Sequence, residues 1–161
     1  MERTSLWTLY TSLEGRISRR TVLLWFFLPI TLTQILAGFA DMSLGYEITN
    51  DLTKVGPWSI AQRLLTLWPG AVGLVKRLHD LEMPGKYVAA FYGSVLLAGV
   101  LLFNARASEG VGPDSVVGWA VGTLCALYLM YLFIICCFRR GIDGPNKYGP
   151  DPLEESPAIW V

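Results

Sequence analysis

Charge is scarce in this sequence. Lys and Arg number 13 and Asp and Glu 13 among 161 residues, 16% in all, where a water-soluble domain carries about 25%. Histidine occurs once, at His79, and cysteine three times, at Cys125, Cys136 and Cys137, with no CxxC or HxxxH spacing. A metal site draws on three or four matched ligands, so no recognisable one is spelled out. The Gly-Lys-Ser/Thr ending of a P-loop is missing, as is the nucleophile elbow of a hydrolase. Net charge is zero; the overall balance therefore points to no nucleic-acid partner, and only the placement of charge along the chain carries information.

Apolar residues make up 53% of the chain, and they gather in four runs: Thr21 to Ala40, Pro57 to Val75, Tyr87 to Ala105 and Ser115 to Phe138. Each is about long enough to cross a hydrocarbon core of roughly 30 Å at 1.5 Å per helical residue. The expected fold is all-α and polytopic, with four transmembrane helices in one membrane domain over residues 1–161. Arg3, Arg16, Arg19, Arg20, Lys76, Arg77, Lys86, Arg139, Arg140 and Lys147 fall in the segments on one side of these runs. The two opposite loops hold only Lys54 and Arg106 among basic residues. The positive-inside rule then puts both termini in the cytoplasm and Lys54 outside. The first run exceeds a signal peptide's apolar core of about 7–15 residues and has no A-x-A site, so it is expected to stay as an anchor. Cys136 and Cys137 approach the reducing face, which argues against a structural disulfide.

Along the chain, Leu6, Leu9, Tyr10, Leu13 and Ile17 recur at helical spacing, predicting an interfacial helix over Met1 to Gly15. Ser18 is placed to cap the first span. Trp68-Pro69-Gly70 predicts a kink in the second. Small residues at four-residue spacing, Ala90, Ser94 and Ala98 in span three and Gly118, Gly122 and Ala126 in span four, allow close helix approach. The rows differ in depth, so at most half of each can serve one hairpin. From 139 to 161 the tail is rich in Gly and Pro, and Gly144 to Pro152 is turn-rich.

Three segments carry a resemblance: Gly15-Arg16-Ile17-Ser18-Arg19, then Lys76-Arg77-Leu78-His79-Asp80 with Gly85 following, then Gly144-Pro145-Asn146-Lys147-Tyr148-Gly149-Pro150-Asp151-Pro152. In this order, across roughly Leu9 to Pro152, the chain resembles the bacterial inner-membrane family known as domain of unknown function 805, which includes the YhaH-type proteins. The resemblance implies a multi-pass protein of the bacterial cytoplasmic membrane and no particular activity. Where the family follows its first motif with an acidic capping-box residue and aromatics, this chain has Thr21, Val22 and Leu23. Where the family tends to Ser-Gly-Trp, it has Pro84-Gly85-Lys86.

Topology brings the three segments to one face. Arg16, Arg19, Arg77, His79, Asp80, Asn146, Lys147 and Tyr148 are the candidate binding residues there, for anionic lipid or a partner protein. Asp80 is expected to pair with Lys76 or Arg77 one turn back. Within the spans the polar candidates are Arg63, Asp41 and Gln34, with Asp41 as the expected partner of Arg63. No cofactor or metal is implied. The expected role is that of an accessory or scaffolding subunit, with membrane lipids and another membrane protein or a second copy as partners. The alternative is a small-solute transporter or channel using Arg63, Asp41 and Gln34, followed by an enzyme centred on His79 and Asp80.

Overall fold

A computed structural model describes residues 5–46, 55–107 and 113–153. These residues form helices and no strand; a lone backbone bridge between Asn146 and Gly149 closes a turn. The Ser5 hydroxyl accepts from the Thr8 N–H to open α1 (Leu6–Thr11), and Ser18 does the same with Thr21 for α2 (Arg19–Val22). Through a π-helical turn at Leu23–Phe27 the chain continues into α3 (Leu28–Ser43). Then come α4 (Pro57–Asp80), α5 (Lys86–Ala107) and α6 (Pro113–Phe138). α4 runs on through Pro69 as one helix.

The first helix is shorter than its apolar spacing predicts, because Ser12 turns the backbone to an extended conformation. Leu9 and Ile17 from the expected stripe are buried, while Trp7 is 76% exposed. α1 is held in part by the Tyr10 hydroxyl, which donates to the Trp25 carbonyl at 2.7 Å. The Tyr10 ring leans on Phe26, with centroids 5.1 Å apart, inside a cluster of Leu9, Ile17, Val22 and Phe26. Lys76 completes the latch, its ammonium donating to the Thr8 and Leu9 carbonyls at 2.8 and 3.1 Å. Both carbonyls lie toward the C-terminal end of α1, where Thr8 also accepts from the Ser12 N–H at 3.3 Å and the negative end of the helix suits a cation. Of the two partners expected for Asp80, Lys76 is therefore drawn elsewhere.

α3 packs along α4, and α5 along α6. The two hairpins are joined where α4 and α6 end, through a core of Val75, Leu78, Leu81, Val88, Leu132, Ile135 and Cys136. Phe27 meets Phe133 edge-on at 5.3 Å. From the small-residue rows, Ala98 and Gly118 are buried while Ala90 and Ala126 are exposed.

At the other end, the α3–α4 hairpin is closed by Asp41. Its two carboxylate oxygens accept from the Trp58 and Ser59 N–H groups at 3.0 and 2.8 Å. Gly56 lies so close to that carboxyl that any Cβ would overlap it. The expected Asp41–Arg63 pair is thus overturned: no ion pair joins them, because the unpaired N–H groups and positive end of α4 take the carboxylate first.

Among the described residues two helices are long and apolar enough to cross a membrane, Arg19–Ser43 with mean hydropathy 1.9 and Val116–Phe138 with 2.3; Lys86–Leu101 is a shorter apolar helix. Only 11% and 22% of the two apolar windows are buried, whereas the core helix of a water-soluble fold hides most of its surface. Lys54, most of both loops opposite the motif segments, and the tail beyond Leu153 lie outside the described residues.

The latch on α1 is open to test. Lys76→Met keeps the length of the side chain but removes its ammonium contacts to the Thr8 and Leu9 carbonyls, at about 1–3 kcal/mol. Chymotrypsin should then cut after Leu9 and Tyr10 several-fold faster in detergent, with α6 unaffected; unchanged cleavage would show that α1 is held by apolar packing alone.

Candidate functional site

Arg16 from the elbow meets Arg77 and Asp80 of α4 in one buried knot. Arg16 stands in the elbow before α2, where Gly15 at a φ of 90° turns the chain. Its Nε and Nη2 both donate to Asp80 Oδ1, at 3.2 and 2.9 Å. Nη2 also reaches the Ile142 carbonyl at 2.6 Å, and Nη1 the Gly144 and Gly149 carbonyls at 2.7 and 3.4 Å. The other carboxylate oxygen, Oδ2, accepts from Arg77 Nη1. Arg77 is fully buried; its remaining donors go to the Cys136 carbonyl at 2.9 Å and to the Arg139 carbonyl, so it caps the end of α6. Guanidinium suits this position because its planar fork serves a carboxylate and two carbonyls together.

The C-terminal loop is folded onto the knot by its own side chains. Asn146 and Gly149 exchange backbone hydrogen bonds at 3.0 and 3.1 Å. The Asn146 amide donates to the His79 carbonyl at 3.0 Å and accepts from the Tyr148 N–H at 2.9 Å. Asp151 accepts from the Gly144 and Leu153 N–H groups at 2.8 and 2.9 Å; the Leu153 and Gly144 bonds hold its carboxyl below the ordinary value. Ile142 N–H donates to the Asp80 carbonyl at 3.1 Å. Gly141 sits against the Asp80 carboxyl, where a Cβ would collide.

His79 stacks flat on Tyr148, with centroids 3.8 Å apart and planes 4° apart, and its Nδ1 lies 3.3 Å from the Gly15 carbonyl. Lys147 Nζ is 5.0 Å from the same Tyr148 ring. Burial lowers the pKa of His79; the Gly15 carbonyl opposes this and the Lys147 charge adds to it.

Beside the knot, Ser18, Arg19, Arg20, Arg140, Asp143 and Asp151 line a cavity of about 310 Å³. Arg19, Arg20, Arg139, Arg140 and Lys147 are exposed around it and nearby. An exposed pair joins Arg140 to Asp143 at 2.9 Å. The candidate binding residues therefore divide. Arg16, Arg77 and Asp80 face one another, so Arg16, Arg77 and Lys147 do not converge on an external anion; Arg19 and Lys147 face outward. Asp151 and Gly141 also belong to the knot. Asp151 lies in the third motif segment but is not among the candidate binding residues, and Gly141, a Gly after two arginines, reads as an ordinary turn residue. Gln34 and Arg63 line a separate cavity of about 320 Å³ with Asp41.

Breaking a buried pair leaves an uncompensated charge, worth about 3–5 kcal/mol. Asp80→Ala and Arg16→Ala should each lower stability in detergent by that order, with the double variant losing clearly less than the sum. Arg140→Ala, whose pair is exposed, should change it by about 0–1 kcal/mol. Full additivity of Arg16→Ala and Asp80→Ala would dissolve the knot into independent contacts.

His79 supplies a pH dependence. Its folded pKa lies below the ordinary value of about 6.5, so the unfolded chain binds the extra proton as pH falls. Stability should be full above about 6.5 and decline as pH drops through the window below it. His79→Phe preserves the stack and should flatten that slope in melts between pH 5 and 7.5. A slope that survives the substitution would assign it to another group.

The chain matches the family described as protein of unknown function (DUF805) over residues 10–150. It is 32% identical over 143 residues to the uncharacterized protein YiiR of Escherichia coli K12, covering 87% of this chain and 85% of that protein. YiiR of Escherichia coli O157:H7 matches to the same extent. No solved structure matches. The matched span takes in the elbow, all the helices of both hairpins and the loop that closes the knot, so the chain belongs to this family.

Proposed function

We propose that this DUF805 protein crosses the bacterial inner membrane four times, with both termini cytoplasmic, and acts there as an accessory or scaffolding subunit that binds a partner protein and catalyses nothing itself. Membrane character is supported by the two apolar helices, whose surfaces remain largely uncovered. The crossings of α4 and α5 are our reading of their length and of the basic residues gathered at one end.

The observation that carries the docking role is the division of charge around the knot. A basic face meant only to gather lipid needs no internal order, yet here two arginines are buried to tie the elbow, α4 and the C-terminal loop into one rigid plate. The outward arginines then border a concavity that also holds Asp143 and Asp151. Carboxylates in the wall disfavour a phosphate and suit a protein segment of mixed charge. Anionic headgroups gather around Arg19, Arg20 and Lys86 in any case, each basic residue being worth about 1 kcal/mol. For transport, Gln34 and Arg63 would have to continue into a polar path, but Asp41 is engaged as a helix cap and the wider groove beside them is chiefly apolar.

The test is crosslinking in intact cells followed by purification in mild detergent, with a reporter fused to the C-terminus. The reporter should be active in the cytoplasm only. One membrane protein should be recovered with the parent and with His79→Phe, and at least about tenfold less with Arg19→Glu/Arg20→Glu, a loss of roughly 1.4 kcal/mol in binding or more. Recovery that ignores the charge reversal would sink the docking role.

A further inference from the structure

A second concavity lies away from the plate, between the two hairpins. It has a volume of about 490 Å³, within the range of about 300–1,000 Å³ that holds small ligands, and its wall is chiefly apolar: Phe26, Phe27, Ile30, Leu67, Leu74 and Phe91. Gln34, Ile35 and Arg63 border both this groove and the cavity under Asp41, so the two are continuous.

Two polar groups on this apolar wall call for a ligand. Gln62 is 9% exposed; its amide nitrogen donates to the Ile30 carbonyl and to the Thr33 hydroxyl, both at 3.2 Å. Its Oε1, also enclosed, has no hydrogen-bond partner among the described residues. A buried acceptor without a donor is unfavourable, and natural structures rarely leave one unless water or a ligand supplies the hydrogen. The neighbouring Arg63 is exposed, and among the described residues it forms no ion pair. A cation six residues into α4, with Asp41 engaged elsewhere, is set to meet an anion from outside the protein.

We infer that this groove seats one anionic phospholipid of the outer leaflet, its acyl chains between the hairpins, its phosphate on Arg63, and a headgroup hydroxyl or the water it carries donating to Gln62. The outer-leaflet placement rests on the four-crossing reading given above; the lipid contacts themselves do not. Apolar walls take the chains, one guanidinium takes the phosphate, and one orphan acceptor takes a hydroxyl, which phosphatidylglycerol has and phosphatidylcholine lacks.

Native mass spectrometry of the detergent-solubilised full chain, offered phosphatidylglycerol or phosphatidylcholine of identical acyl chains, tests this. One phosphatidylglycerol should persist on the parent and be lost at least about tenfold more readily from Arg63→Gln, as expected when a charge-assisted contact is removed. Gln62→Leu should narrow the preference between headgroups. Gly70→Leu fills the groove without disturbing the backbone, because a Cβ there meets only the Tyr92 hydroxyl at 3.7 Å and an Ile30 methyl at 3.8 Å, and it should abolish retention of either lipid. Arg19→Gln/Arg20→Gln should retain the tightly held lipid. Retention by Arg63→Gln or Gly70→Leu equal to the parent overturns the proposal, as does loss confined to the Arg19/Arg20 variant. Failure of partner docking would leave these lipid counts unchanged, so the two readings fail separately.

Discussion

The carboxylate of Asp80 is the constraint on which this structure turns. Its two oxygens are divided between Arg16 and Arg77, and each arginine extends the tie to backbone far away in sequence. Arg16 carries it to Ile142, Gly144 and Gly149, and Arg77 to the last carbonyls of α6. Without the negative charge, two guanidinium groups would lie buried side by side, each costly to remove from water. With it, the elbow, the end of α4, the end of α6 and the C-terminal loop become one body.

Such a knot does more for uniqueness than for net stability. Desolvating three charged groups offsets much of their mutual attraction, and an apolar core of equal volume would hold as well. What apolar packing could not do is set register. The Asp80 carbonyl accepts from Ile142, Gly141 approaches the same residue's carboxyl, and Asn146 binds the carbonyl of the preceding residue, so the loop fits in one place only. The latch on α1 is likewise position-specific: the Tyr10 hydroxyl donates to the Trp25 carbonyl and Lys76 to the Thr8 and Leu9 carbonyls.

At the opposite end, polarity is handled differently. Asp41 closes the turn between α3 and α4 through two backbone N–H groups, which leaves Arg63 and one face of Gln62 unanswered in an apolar setting. Among the described residues the buried side-chain polar atoms of the plate all have partners, while Gln62 Oε1 at the groove has none.

Much of the architecture was legible in the residues themselves. Apolar runs of about twenty residues, Ser18 before a helix, Pro57 after Gly56 and the turn at Pro84-Gly85 are local signals, and local geometry answers to them. The three motif segments were also readable as neighbours, because helices of this length return the chain to the same level at every second turn. What could not be read was the choice among equivalent partners. Lys76 and Arg77 stand equally well placed before Asp80, and only the approach of α1 and α6 sends one to the Thr8 and Leu9 carbonyls and the other to the carboxylate. Asp41 likewise was expected to meet Arg63, and the start of α4 takes it instead. Sequence thus determined which segments form helices and which charges gather at one end, since those depend on neighbours along the chain. Tertiary structure alone decided which charges are buried and which face outward, since a side chain's surroundings are set by residues tens of positions away.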